Sequence, residues 1–176
     1  TPLKGLFLKT QRVIRDLSVK LNKPIEFYMR GEDAELDRSI VELLADPLIH
    51  ITRNSLDHGM ETRAQRKAQG KPEIGKVHLS AHQVGGRVVI TVSDDGAGIN
   101  RAKVIEKALE KNLIPASQNV DALSDAEVFQ LIFEVGFSTA DAVTDISGRG
   151  VGMDFVKTNI EKMKGSIEVT SIQGEG

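Results

Sequence analysis

Apolar residues recur at helical spacing from Leu3 to Leu21, with Leu6, Val13, Ile14, Leu17 and Leu21 forming one stripe. Asn22 and Pro24 end that run, and Ile25-Glu26-Phe27-Tyr28-Met29 changes to the two-residue alternation of a strand. Gly31 to Leu36 reads as an acidic loop. Asp37 is placed to cap a second helix carrying Ile40, Val41, Leu43 and Leu44, which Pro47 interrupts or restarts. The segment His50 to Gly59 then reads as a helix with His50, Asn54, Asp57 and His58 near one face. Ile49, Ile51 and Leu56 supply its apolar side, Arg53 and Asp57 are spaced to pair, and Gly59 is a natural C-terminal cap.

Met60 to Gln69 is polar, helix-forming and expected to be exposed. After the Gly70-Lys71-Pro72 loop, Lys76–Val84 and Arg87–Ser93 alternate around Gly85-Gly86, the signature of a two-residue hairpin. Asp94-Asp95-Gly96-Ala97-Gly98 follows, then a helix from about Asn100 with Val104, Ile105, Ala108 and Leu109 inward. Leu113 to Leu123 is irregular. Ser124 and Glu127 make a capping box for a short helix through Phe133. Gly136 to Gly152 has little to bury and is expected to be a mobile loop. Met153 to Lys164 reads as a helix, Ser166 to Ile172 as a strand, and Gly174-Glu175-Gly176 as a turn toward one more strand. Hairpin strands mixed with helices predict an α+β sandwich with helices on one face, not a doubly wound parallel sheet.

The length fits one domain, or one domain plus a short extra element, and Thr1 in place of an initiator Met points to a piece of a longer protein. A net charge of −2 gives no electrostatic case for nucleic-acid binding. The absence of cysteine excludes disulfides and thiolate metal sites and suits the cytoplasm. No apolar run is long enough to span a bilayer, so direct membrane insertion is not expected.

Five features invite chemistry. An acid at a strand end, followed by glycines, can accept a hydrogen bond from an exocyclic amine, and Asp94 stands in that place; Asp- and Gly-rich turns also serve as plain turns. Gly148-Arg149-Gly150-Val151-Gly152-Met153 opens a helix, where exposed amides attract anions. Gly70-Lys71-Pro72-Glu73-Ile74-Gly75-Lys76-Val77 nearly spells a P-loop, but Val77 replaces the metal-binding hydroxyl and a strand follows instead of a helix. His78 and His82 lie about 13 Å apart at strand rise, too far for one metal, and read as surface or partly buried side chains. The basic run Arg63, Arg66, Lys67, Lys71 reads as a solvated face.

In combination these segments say more. The Asn-bearing helix, the Asp-x-Gly-x-Gly turn, the stretch Phe133-Glu134-Val135-Gly136-Phe137-Ser138-Thr139 and the Gly-x-Gly-x-Gly loop occur in an order that resembles the GHKL nucleotide-binding superfamily of histidine kinases, DNA gyrase, MutL and a major heat-shock chaperone. Pro47-Leu48-Ile49-His50 running into Arg53-Asn54-Ser55-Leu56-Asp57-His58-Gly59, and Ser147-Gly148-Arg149-Gly150-Val151-Gly152-Met153-Asp154, look like the CheA family of chemotaxis histidine kinases. The resemblance covers about residues 24–176.

It implies a two-layer α/β sandwich of the Bergerat type, with a mixed, mostly antiparallel sheet. It implies that residues 1–22 end a dimerisation-domain helix or linker, and that 23–176 form the ATP-binding kinase domain without its last strand. ATP and Mg²⁺ are the implied cofactors. Asn54 would bind the metal, with His50 close to metal and phosphates; these two are the implied catalytic residues. Arg53 and His58 would contact the phosphates and Asp57 would belong to the nucleotide-binding set; Asp94 would read the adenine, with Gly96 and Gly98 beside it, and Lys103 and Lys107 would be cationic contacts. Ser147, Gly148, Gly150, Val151, Gly152 and Met153 match the phosphate loop, and residues 133–147 the lid. Members often carry a Lys in the lid; here it reads Ala140-Asp141-Ala142.

The γ-phosphoryl acceptor would be a His on a separate phosphotransfer domain, and none of the four histidines here matches it. Further implied partners are response regulators, a coupling protein and chemoreceptors, with a homodimeric full-length protein beside its receptors. A gyrase-type ATP hydrolase is the rival reading. Those enzymes place a Glu one turn before the metal-binding Asn to activate water, where this chain has His50. A non-catalytic nucleotide sensor is the third.

Overall fold

A computed structural model describes residues 1–137 and 152–176. Its described residues divide into two compact units, Thr1–Gly98 with Gly174–Gly176, and Ile99–Gln173. The first unit holds α1 (Lys4–Leu21), β1 (Ile25–Arg30), α2 (Arg38–Asn54), α3 (Arg63–Ala68), β2 (Gly75–Val84) and β3 (Arg87–Asp94). The second holds α4 (Arg101–Glu110), α5 (Asp125–Gln130) and α6 (Met153–Lys162).

The sheet is mixed, in the order β1-β2-β3. β1 runs parallel to β2, with Ile25 opposite Gly75, and β2 runs antiparallel to β3, with Val77 opposite Asp94. Gly85 and Gly86 turn the hairpin at φ 50° and 77°, the paired positive values that match strand twist and that side chains resist. Alternation sorts the faces: Val77, Leu79 and Ala81 of β2 are buried, and Val88, Ile90, Val92 and Asp94 of β3 are half-buried. Ile14 of α1, Leu56, Met60 and Val77 make one core cluster, with Leu17, Leu21, Ile25 and Phe27 packed on it. Helices and strands thus share an apolar interior in the expected α/β sandwich. On the sheet's other side Tyr28 stacks on His78, ring centroids 4.9 Å apart, so His78 is a surface side chain as expected.

Two expectations about secondary-structure elements fail. Pro47 neither breaks nor restarts a helix; α2 runs unbroken from Arg38 to Asn54 with Pro47 inside it. Pro47, Leu48 and Ile49 are all buried, and that packing offsets the missing N–H bond, a loss of about 3 kcal/mol in an exposed helix. Ser166–Ile172 is not a strand, despite its alternation. A strand needs a partner ladder, and among the described residues this segment has none; the Ile99 N–H instead donates to the Ser171 hydroxyl oxygen at 2.8 Å.

In the second unit Val104, Val128, Phe129 and Phe137 form the core, with Ile99, Ile105, Leu123 and Val169 against it. The capping box is present: Glu127 N–H donates to Ser124 Oγ and Ser124 N–H to Glu127 Oε1, both at 3.1 Å. Leu109, expected inward, is 37% exposed.

Because Ile14 is fully buried between α1 and the sheet, Ile14→Ala should cost about 2–5 kcal/mol. Urea unfolding of the variant should show a lower midpoint with an unchanged slope.

Candidate functional site

The end of α2 is anchored by buried side chains on one side and presents polar ones on the other. Leu48, Ile49, Thr52 and Leu56 are buried, and Thr52 Oγ1 donates to Leu48 O at 2.7 Å. His50, Arg53 and Asn54 lie half-buried on the remaining arc. At Ser55 the helix widens into one π-helical turn, Ser55–Gly59, a device common at functional sites. This corrects the reading of His50 to His58 as a single α-helical face. The wider turn shifts the angular phase of Asp57 and His58 relative to Asn54, and both are exposed. It also separates the expected Arg53–Asp57 pair: Asp57 lies instead 3.7 Å from His58 Nε2.

Gly59 is not a cap either, since the turn ends with extended Met60. The late carbonyls are held by a residue that spacing did not flag: Lys23 Nζ donates to Asp57 O at 2.9 Å and Leu56 O at 3.3 Å. A cation at a helix C-terminus satisfies its orphan acceptors and opposes the dipole.

Gly59 is where the acid turn arrives. Ala97 N–H donates to Gly59 O at 2.7 Å. A Cβ on Gly96 would sit 2.2 Å from that same oxygen, so only glycine admits the approach. Gly96 N–H in turn donates to Asp94 Oδ1 at 2.9 Å, orienting the carboxylate at the end of β3. A methyl group on Gly59 would stand 3.9 Å from both Asn54 O and Asp94 Oδ2. The asparagine-bearing helix end and the strand-end acid therefore converge within one unit. Gly98 follows at φ 74°, and Gly174 N–H donates to Ala97 O at 2.6 Å.

The basic run is not a solvated face. Thr62 and Gln65 cap α3 reciprocally, a box the sequence reading missed although its Thr-x-x-Gln spacing is legible. The cap aims Arg66 inward, where its side chain is 1% exposed. Arg66 donates to Pro72 O at 2.6 Å, to Glu61 Oε1 at 3.0 Å, and to Asp95 O and Oδ2, each at 3.1 Å. Lys71 Nζ donates to Glu61 Oε2 at 2.6 Å, Gly96 O at 2.9 Å and Asp95 O at 3.1 Å. Two cations and two carboxylates thus balance beneath the acid turn, as burial of charge requires. Arg63 and Lys67 of the same run are exposed, as expected.

The second unit carries the other proposed cations. Asn100 caps α4, its side chain accepting from Lys103 N at 3.2 Å. Lys103 is exposed, whereas the Lys107 ammonium lies 4.7 Å above the Phe137 ring, a cation–π contact. Gly152 sits at the N-cap of α6 without a side-chain cap, and Met153 is the first helical residue. Ser147, Gly148, Gly150 and Val151, with the expected loop and lid over 138–151, lie outside the described residues.

The helix end bearing Asn54 thus packs through glycine onto the turn that follows the strand-end Asp94, and comparison with known families gives the class of protein. Residues 44–176 match the histidine kinase-, DNA gyrase B-, and HSP90-like ATPase family, and the chain belongs to it. Within that class, 99% of the chain aligns at 53% identity with the sensor histidine kinase CheAY of Helicobacter pylori. The same share is 48% identical to chemotaxis protein CheA of Bacillus subtilis and 45% identical to that of Halobacterium salinarum. The chain spans only 22%, 26% and 26% of those proteins.

Burial works to raise the Glu61 carboxyl, but the Lys71 hydrogen bond and the charges of Lys71 and Arg66 outweigh it, so Glu61 titrates below its usual 4.5. A lowered folded-state value means that the ionised carboxylate stabilises the fold. That contribution is complete above about pH 4.5 and is lost as the pH falls through the lower folded value. Glu61→Gln, which leaves Lys71 and Arg66 short of a charge, should cost about 3–5 kcal/mol at neutral pH. Urea midpoints of variant and wild type should draw together on acidification.

Proposed function

We propose that this chain is the ATP-binding catalytic domain of a chemotaxis histidine kinase, donating the ATP γ-phosphoryl to a His on a separate phosphotransfer domain. The observation that carries the reading is the contact of the Gly59 carbonyl with the Gly96–Ala97 turn, which sets Asn54 and Asp94 around one locus. The relatives' names supply the pathway.

In this reading Asp94 accepts a hydrogen bond from the exocyclic amine of adenine, with Gly98 allowing the base to lie close and Gly96 seating the turn on Gly59. Asn54 offers a neutral amide oxygen to Mg²⁺, a hard cation that takes its remaining ligands from phosphates and water. The bound ion would neutralise charge on the phosphates. His50, one turn before Asn54, and Arg53 and His58 give the same helix end its polar and cationic surface toward the phosphates. By the same resemblance Lys103, Lys107 and residues 147–153 are assigned to nucleotide contacts. Phosphoryl transfer asks mainly for alignment and charge neutralisation, and these residue types supply both. His50 stands where a hydrolase of the gyrase type has its water-activating Glu, which favours transfer to a protein.

For the whole protein we propose a homodimer at the cytoplasmic side of chemoreceptors, with a coupling protein and response regulators as partners. Residues 1–22 would end its dimerisation-domain helix or linker, and 23–176 would be the kinase domain. No described helix is long and apolar enough to cross a membrane.

Calorimetry with a non-hydrolysable ATP analogue should show magnesium-dependent binding. Asp94→Asn should weaken it about tenfold or more, the loss of a hydrogen bond to a charged group. Asn54→Asp should abolish the magnesium dependence. With labelled ATP the chain alone should carry no covalent phosphate, and fast ATP turnover by the isolated chain would overturn the kinase reading.

A further inference from the structure

We propose that Arg66, with Glu61, Lys71 and Asp95, is a positioning device that sets base selectivity by fixing the direction of Asp94. The proposal rests on the reading of Asp94 as the base-contacting acid. It goes beyond that reading by assigning a role to four residues to which that reading gives no nucleotide contact.

The geometry is specific to Asp95, the neighbour of Asp94. Its backbone oxygen accepts from both Arg66 and Lys71. Its Oδ2 accepts from Arg66 at 3.1 Å and its Oδ1 from the Lys76 amide at 2.8 Å. Its own N–H donates to Lys76 O at 3.2 Å. Every polar atom of Asp95 is thus engaged, and Lys71 extends the hold to Gly96 O. Gly96 is the residue whose amide orients the Asp94 carboxylate. The chain of contacts therefore runs from a buried guanidinium, through one backbone unit, to the carboxylate facing Gly59.

Arg66 is suited to this task and Lys is not. Its planar fork reaches the Pro72 carbonyl, Glu61 and both kinds of Asp95 oxygen at once. A buried ion network gains little stability over apolar packing of equal volume, so its return here lies in fixed geometry. A hydrogen bond that must tell an amine from a carbonyl tolerates only a small displacement of its acceptor. Adenine offers an amine at that edge, and hypoxanthine offers a carbonyl. An acid held rigidly rejects the carbonyl; an acid free to swing, or to be bridged by water, rejects it less.

The test compares binding of a non-hydrolysable ATP analogue and its inosine counterpart by calorimetry, on variants whose thermal unfolding remains cooperative. Arg66→Lys and Asp95→Asn should each reduce the adenine-over-hypoxanthine affinity ratio about tenfold, the equivalent of one well-placed bond to a charged group. A purely structural role would lower both affinities alike and leave the ratio unchanged, and that result in the folded variants would overturn the proposal. Lys71→Met, at a less buried position, decides the matter by the same ratio if the other two fail to fold. Asp94→Asn separates the premises. If it leaves the ratio at the wild-type value, the reading of Asp94 itself fails. If it abolishes the ratio while Arg66→Lys, Asp95→Asn and Lys71→Met preserve it, only the positioning role fails.

Discussion

One backbone hydrogen bond, from Ala97 N–H to Gly59 O at 2.7 Å, joins the two halves of the candidate site. It links the last turn of a helix to the turn that leaves a strand, across 38 residues of chain. It depends on a missing atom, because any Cβ at Gly96 would lie 2.2 Å from the acceptor oxygen. It also depends on where Gly59 sits, which the π turn decides by ending α2 with a wider ring and a shifted phase. A continued α-helix would carry the Gly59 carbonyl to another azimuth. The contact between the helix end that carries Asn54 and the turn that follows Asp94 therefore depends on that local distortion.

The charges of the first unit are divided between support and surface. Lys23 closes the carbonyls of the π turn from one side, and Arg66 and Lys71 hold the acid turn from the other. Each binds backbone oxygens as well as or instead of carboxylates, so each fixes the path of the chain. The near-neutral total charge conceals this sorting, because the cations that matter most to the scaffold are already matched by Glu61 and Asp95. Bulk charge speaks to association; the placement of individual charges speaks to geometry.

What the sequence made legible was whatever depended on local spacing. The hairpin at Gly85-Gly86, the first helix, the capping box at Ser124 and the acid at the end of β3 follow from short-range rules of turn and periodicity. Pro47 misled because its cost is local whereas its compensation is tertiary: Leu48 and Ile49 bury beside it. Ser166–Ile172 misled because alternation states which face would be buried but not whether a partner strand exists. The basic run misled because charge predicts exposure only when no counter-charge awaits inside, and Glu61 and Asp95 lie 5 and 29 residues from Arg66. The π turn has no composition signal of its own; one residue of slippage in a ladder is set by what the ladder must meet.

The acid turn is rich in glycine and yet is held in one course by its neighbours. Asp94-Asp95-Gly96-Ala97-Gly98 has high conformational freedom when unfolded, and freezing it costs roughly 1–2 kcal/mol per residue. A turn restrained only at its ends would sample many directions for the Asp94 carboxylate. Here the restraint is applied inside the turn, to Asp95 N, O, Oδ1 and Oδ2, to Gly96 O and to Ala97 N. Glycine provides the close approach to Gly59, and the buried ions remove the freedom that glycine brings. Neither feature suffices alone: without glycine the turn cannot reach the helix end, and without the ions it reaches that end without a fixed orientation.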